Sequence, residues 1–149
     1  MDDRKISPDL TVSPQIVPGD LRALAEEGYR SVIINRPDGE GEGQPDAAEI
    51  EAAAESLGLK VRYIPVTPGQ ITDDNVAAFG RALAELPSPT LAYCRTGTRS
   101  VSLWALSEAG RLSPDEIIER AAKAGYDLEN LRRRLEAEHQ RAADGLAAP

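Results

Sequence analysis

Short apolar runs alternate with helical stretches along most of this chain, and that rhythm restricts the possible folds more than any other feature. Ser31-Val32-Ile33-Ile34-Asn35 is too short for a helix and is bounded by turn residues, so it reads as a buried strand. Lys60-Val61-Arg62-Tyr63-Ile64 and Thr90-Leu91-Ala92-Tyr93 read the same way, and Leu10-Thr11-Val12 is a shorter strand ended by Pro14 and Pro18. Helices fall between them. Asp20 opens one that carries Leu21, Leu24 and Ala25 and stops at Gly28. Asp46 to Leu57 places Ile50, Ala53, Ala54 and Leu57 on one face, with Gly58 just past the end. Thr72 or Asp73 caps a helix running through Val76, Phe79, Leu83 and Leu86, and an apolar helical stretch from Val101 to Leu106 closes at Gly110. Such alternation implies βαβ units: an α/β fold with a mostly parallel central sheet and helices on both faces.

The 149 residues fit one domain. Residues 1–110 read as its catalytic part and 111–149 as a helical C-terminal extension of the same domain. That extension opens at Ser113-Pro114-Asp115-Glu116, breaks near Gly125, becomes densely charged from Arg132 to Arg141, and is expected to fray beyond Asp144. Leu128, Leu131 and Leu135 form a stripe on it that is expected to pack on the domain's own sheet. A formal net charge of -8 argues against nucleic-acid binding, which needs a basic face. No apolar run approaches the ~20 residues of a membrane span, and Met1-Asp2-Asp3-Arg4-Lys5 is not followed by a signal-peptide-like stretch. Cys94 has no second cysteine to pair with, so the expected setting is a reducing cytoplasm, and no metal or cofactor is expected.

In parallel sheets, ligands collect at the carboxyl ends of the strands, where Cys94 falls. Cys94-Arg95-Thr96-Gly97-Thr98-Arg99-Ser100 links a strand end to a helix start. Backbone N–H groups in such a turn can converge as an anion nest, and the helix N-terminus adds partial positive charge. Gly97 allows positive φ or the close approach of a ligand. Arg99 offers a fork of donors to an anion. Together these favour a thiolate at Cys94 and make it a nucleophile for anionic substrates. A cysteine closing an apolar strand is often a small core residue, but two Arg, two Thr and a Gly are poor company for a core.

This loop is similar to the active-site loops of two families. Cysteine phosphatases, including the dual-specificity group, use Cys-x5-Arg followed by Ser or Thr, whereas rhodanese sulfurtransferases use Cys-x4-Arg, the spacing of Cys94 and Arg99. The order of elements, with Val32-Ile33-Ile34-Asn35 and Tyr63-Ile64-Pro65-Val66 ahead of the Cys loop, resembles dual-specificity phosphatases. With Asn35-Arg36-Pro37-Asp38, the set resembles the phosphatase-like domain of bacterial beta-lactamase hydrolase-like proteins, a family also labelled as sulfur transferases, over residues 4–110. The resemblance implies a cysteine-phosphatase fold. Because some members are fused to a persulfide dioxygenase domain, it also implies such an enzyme as a partner.

A phosphatase must protonate its leaving group. The resemblance places an Asp in the loop after Tyr63-Ile64-Pro65-Val66, where this chain has Thr67-Pro68-Gly69. Asp38 and Asp73 are the candidate general acids, with capping as the competing role for Asp73 and its neighbour Asp74. Tyr93 stands where phosphatases carry His, and His139 lies on a solvated face of the charged helix. Sulfur transfer needs no strong acid, and a loop one residue shorter suits a sulfur atom better than a phosphate. The first expectation is therefore a rhodanese-like sulfurtransferase acting on thiosulfate or small persulfides through a Cys94 persulfide and a thiol acceptor. The alternative is a phosphatase forming phosphocysteine at Cys94, and the third reading is a non-catalytic anion-binding module. In either enzyme Cys94 and Arg99 are catalytic. Arg95, Thr96, Gly97, Thr98, Ser100 and Arg36 bind substrate, with Thr98 or Ser100 hydrogen-bonding the thiolate or capping the helix, and Arg36 facing the pocket or pairing with Asp38 or Glu40.

Overall fold

A computed structural model describes residues 3–147. Met1 and Asp2, the first residues of the N-terminal stretch read above, lie outside the described residues, as do Ala148 and Pro149. Five strands, β1 (Arg4–Ser7), β2 (Leu10–Ser13), β3 (Ser31–Ile34), β4 (Lys60–Tyr63) and β5 (Thr90–Tyr93), form one sheet in the order β1-β2-β5-β3-β4. β1 runs antiparallel to β2, while the β2–β5, β5–β3 and β3–β4 pairs are parallel. β3 and β5 lie inside the sheet and are buried throughout, which explains their continuous apolar sequences.

Side chains of these inner strands alternate between two cores. One side buries Val32, Ile34, Leu91 and Tyr93 against Leu21 and Leu24 of α1 (Asp20–Glu26) and Ile50 of α2 (Ala47–Ser56). The other buries Ile33 and Ala92 against α3 (Asp73–Glu85), α4 (Thr98–Glu108), α5 (Pro114–Lys123) and α6 (Arg132–Ala147), through Phe79, Leu103, Ile117 and Leu135. Each large aliphatic side chain so buried contributes roughly 1.5–3 kcal/mol. Leu128 and Leu135 sit in that second core with Leu131 packed on it, so the leucine stripe of the extension is self-packed as expected. Among the described residues, no helix is long and apolar enough to cross a membrane.

Two local expectations need correction. β1 is an additional strand whose one apolar residue, Ile6, gives no period to read. α4 begins at Thr98, three residues before its apolar stretch, so Arg99 and Ser100 lie in its first turn. Of the two candidate caps of α3, Thr72 is the one used: its hydroxyl accepts from Asn75 N–H while the Asn75 side chain accepts from Thr72 N–H. α6 runs from Arg132 to Ala147.

Register explains how the site is assembled. Tyr93 pairs with Ser13 on one side and Ile34 on the other, and Ile34 pairs with Tyr63. The segments after these four residues therefore leave the sheet side by side: Pro14-Gln15, Asn35-Arg36, Ile64 to Val66, and Cys94-Arg95. Asn35 N–H extends the ladder to Tyr93 O at 2.9 Å, and Val66 N–H reaches Asn35 O at 3.0 Å.

Candidate active site

Cys94 follows β5 directly and its side chain is fully buried. Its Sγ accepts a hydrogen bond from Gly97 N–H at 3.1 Å, so the chain turns back over the sulfur within three residues. Gly97 has φ +93°, a left-handed conformation that a side-chain-bearing residue rarely adopts. Space forbids a side chain there as well, because a Cβ would fall on the Tyr126 hydroxyl and lie 3.4 Å from Ser13 O. The turn hands the chain directly to α4, with Val101 N–H on Gly97 O at 3.0 Å.

Arg99 is anchored rather than free. Its Nη1 donates to Glu40 Oε2 at 2.6 Å and to Val66 O at 2.8 Å, and its Nη2 donates to Glu40 Oε1 at 2.8 Å. Arg36 donates from Nε to the same Glu40 Oε1 at 3.0 Å and from Nη1 to Gln15 Oε1 at 3.1 Å. One carboxylate thus fixes two guanidinium groups in bidentate and shared geometry. The Glu40 hydrogen bond raises the Arg99 pKa above its ordinary value against the opposing effect of burial, and Cys94 adds to the rise. Conversely, the Arg99 hydrogen bond holds the Glu40 carboxyl below the usual carboxylate range despite burial, with Arg36 contributing.

A cleft of about 420 Å³ opens beside this cluster, lined by Arg95, Thr96, Thr98, Arg99, Glu40 and the Pro68-Gly69 turn. Exposed Arg95 stands at its edge. Thr96 donates from Oγ1 to Thr98 Oγ1 at 3.0 Å. Gln15, missed in the sequence, ties the β2 loop to the site through its N–H on Arg95 O at 3.3 Å and its side chain under Arg36.

A family model for the phosphatase-like domain of beta-lactamase hydrolase-like proteins matches residues 2–111. The chain belongs to that family. The beta-lactamase hydrolase-like protein of Agrobacterium fabrum is 36% identical over 126 residues, which are 83% of this chain and 29% of that protein. The Xylella fastidiosa protein of the same name is 38% identical over 125 residues, again 83% of this chain and 29% of the relative. The chain thus spans less than a third of the length of the curated relatives it matches. A solved structure from Neisseria meningitidis, given a provisional phosphatase designation, is 40% identical with TM-score 0.84, covering 93% of this chain and 99% of that one. The structure of PTPMT1, at 16% identity and TM-score 0.74 over 97% and 98% of the two chains, shares the fold. The phosphatase-like domain therefore has the expected cysteine-phosphatase fold, and its nucleophile loop fits that fold with Cys-x4-Arg spacing.

Other expected site residues are placed differently. Asp38 is not poised as an acid: its Oδ1 accepts from Ala47 N–H at 2.8 Å, so it caps the start of α2 from the preceding loop. Asp73 lies in the first turn of α3, exposed, with Arg134 Nη2 3.2 Å from its Oδ1. Its surroundings are α4 and α6, and the cleft lining does not include it. Ser100 does not serve Cys94: its hydroxyl donates to Asn35 Oδ1 at 2.8 Å, while Asn35 Nδ2 donates to Ile64 O at 2.9 Å. A buried amide with unmet acceptors outcompetes the sulfur for that hydroxyl. Thr98 is engaged with Thr96, and the donor on Sγ is the Gly97 backbone. Tyr93, whose hydroxyl is pushed above its ordinary pKa chiefly by burial, stays a neutral phenol. His139 packs its Nδ1 2.8 Å from Ala109 O and so is partly buried rather than fully solvated.

Proposed function

We propose that this domain hydrolyses phosphate monoesters through a phosphocysteine at Cys94. The observation that carries the reading is a fixed pair: a buried sulfur under the Gly97 N–H, and a guanidinium that Glu40 locks in the lining of the adjoining cleft. The Cys94 thiolate attacks phosphorus, the phosphorus–oxygen bond to the leaving group breaks, and the departing oxygen takes a proton from water. A second water then attacks the phosphocysteine, releasing inorganic phosphate and restoring the thiolate. Arg99 and the loop N–H groups, held in place before reaction, bind the equatorial oxygens. Arg95 draws the dianion to the cleft.

Glu40 is the sole carboxylate among the lining residues described, and two arginines keep it ionised. It is a positioning group and not a proton donor. The domain is accordingly suited to phosphate esters whose alcohol leaves as a stable anion. Para-nitrophenyl phosphate should turn over, an alkyl phosphate at least tenfold more slowly, and Cys94→Ser should abolish both.

Family and fold favour this reading over sulfur transfer, which the Cys-x4-Arg spacing first favoured. Thiosulfate, a thiol acceptor and a persulfide dioxygenase partner belong to that second reading. A gain of one sulfur on Cys94 by mass spectrometry after thiosulfate, with no phosphate release, would reverse the order. Phosphate binding that survives Cys94→Ser, with no turnover on any donor, would favour the non-catalytic module.

A further inference from the structure

The extension beyond residue 111 reaches back to the nucleophile loop through Tyr126. Its hydroxyl donates to Thr96 O at 3.1 Å, and Thr96 O belongs to the same peptide unit as the Gly97 N–H that donates to Cys94 Sγ. That unit is planar, with its oxygen and hydrogen on opposite sides. Tyr126 grips the outer end while the sulfur holds the inner one. We infer that Tyr126 is a positioning residue that locks the Thr96–Gly97 peptide with its N–H aimed at Cys94.

The lock has a purpose because Gly97 removes the usual barrier to rotating this peptide. Turned over, the unit would aim the Thr96 carbonyl at Sγ and repel the thiolate. A hydrogen bond on the carbonyl also polarises the N–H at the other end of the unit. Tyr126 is itself held: the Arg4 guanidinium lies 5.7 Å from its ring centroid, and Arg4 Nη1 donates to Ala124 O at 3.0 Å. The ring covers Gly97 closely enough to leave no room for a Cβ.

Cys94 is the single cysteine of the chain, so its alkylation by neutral iodoacetamide reads the loop directly and needs no substrate. A chain that hydrolysed no phosphate ester would still give a decisive answer. The full chain and Tyr126→Phe are compared at pH 6 and pH 10, with thermal melting alongside. The lock predicts alkylation about threefold to tenfold slower in the variant at pH 6, the effect of one hydrogen bond. The ratio of the two rates should shrink between pH 6 and pH 10, because a hydrogen bond to the sulfur acts on the balance of thiol and thiolate, and melting should stay within a few degrees. Equal rates at pH 6, or the same ratio at both pH values, would overturn the inference, since ring packing alone changes access and not ionisation.

Discussion

Arg36 and Arg99 retain only 8% and 9% of their surface, and Glu40 is the carboxylate that serves both. Two cations cannot be held there without a countercharge, because removing one partner of a buried ion pair leaves the other desolvated and unpaired. Glu40→Gln should lower unfolding stability by about 3 kcal/mol in a urea titration and cut Cys94-dependent turnover, since Arg99 loses its anchor. The pH dependence has a definite sign. Glu40 has a folded pKa below its unfolded one, so its contribution is complete above the ordinary carboxylate range and is lost as pH falls through the folded value. Melting temperatures between pH 7 and pH 3 should therefore fall less steeply in Glu40→Gln than in the parent chain. Cys94, Gly97 and Arg99 were legible because they are consecutive parts of one loop whose chemistry is local. Glu40 stood in the sequence only as an alternative partner for Arg36. Its bond to Arg99 spans 59 positions and exists only because the sheet places the β3 and β5 loops together.

The α2 helix shows how a residue can look chemical and be architectural. Its own N-cap residue, Asp46, makes no side-chain capping bond, and Asp38 supplies one from the loop before it. Asp38→Ala should cost about 1 kcal/mol, the usual value of a lost cap, while hydrolysis of para-nitrophenyl phosphate stays within twofold. A general acid would instead lose far more activity than stability. Most of the elements could be read because each has a strong local signal: a β-branched run for β3, a short apolar run before a polar loop for β5, capping residues for α3 and α5. β1 had none, since Arg4-Lys5-Ile6-Ser7 becomes a strand only by pairing with β2. The start of α4 was hidden for a different reason. Its first turn is polar because it faces the site, so the apolar pattern begins one turn late.

For the whole molecule, the boundary of the family match is not a boundary of the fold. The match ends at residue 111, yet Ile117, Ala121, Leu128 and Leu135 share one core with Phe79, Val101 and Leu103. Cutting after residue 111 removes several large buried side chains at roughly 1.5–3 kcal/mol each, which rivals the whole stability of a typical domain, about 5–15 kcal/mol. A chain of residues 1–111 should show no cooperative thermal transition by circular dichroism, whereas the full chain should show one. The rim of the sheet carries a last consequence. In a chain of formal charge -8, the two outermost strands are basic, with Arg4 and Lys5 on β1 and Lys60 and Arg62 on β4. Unpaired strand borders invite other copies to zip alongside. Arg62 is paired with Glu85 and Arg4 is turned to Ala124 O, which leaves Lys5 and Lys60 as the charges along those borders, and like lysines oppose lateral self-assembly into extended ribbons.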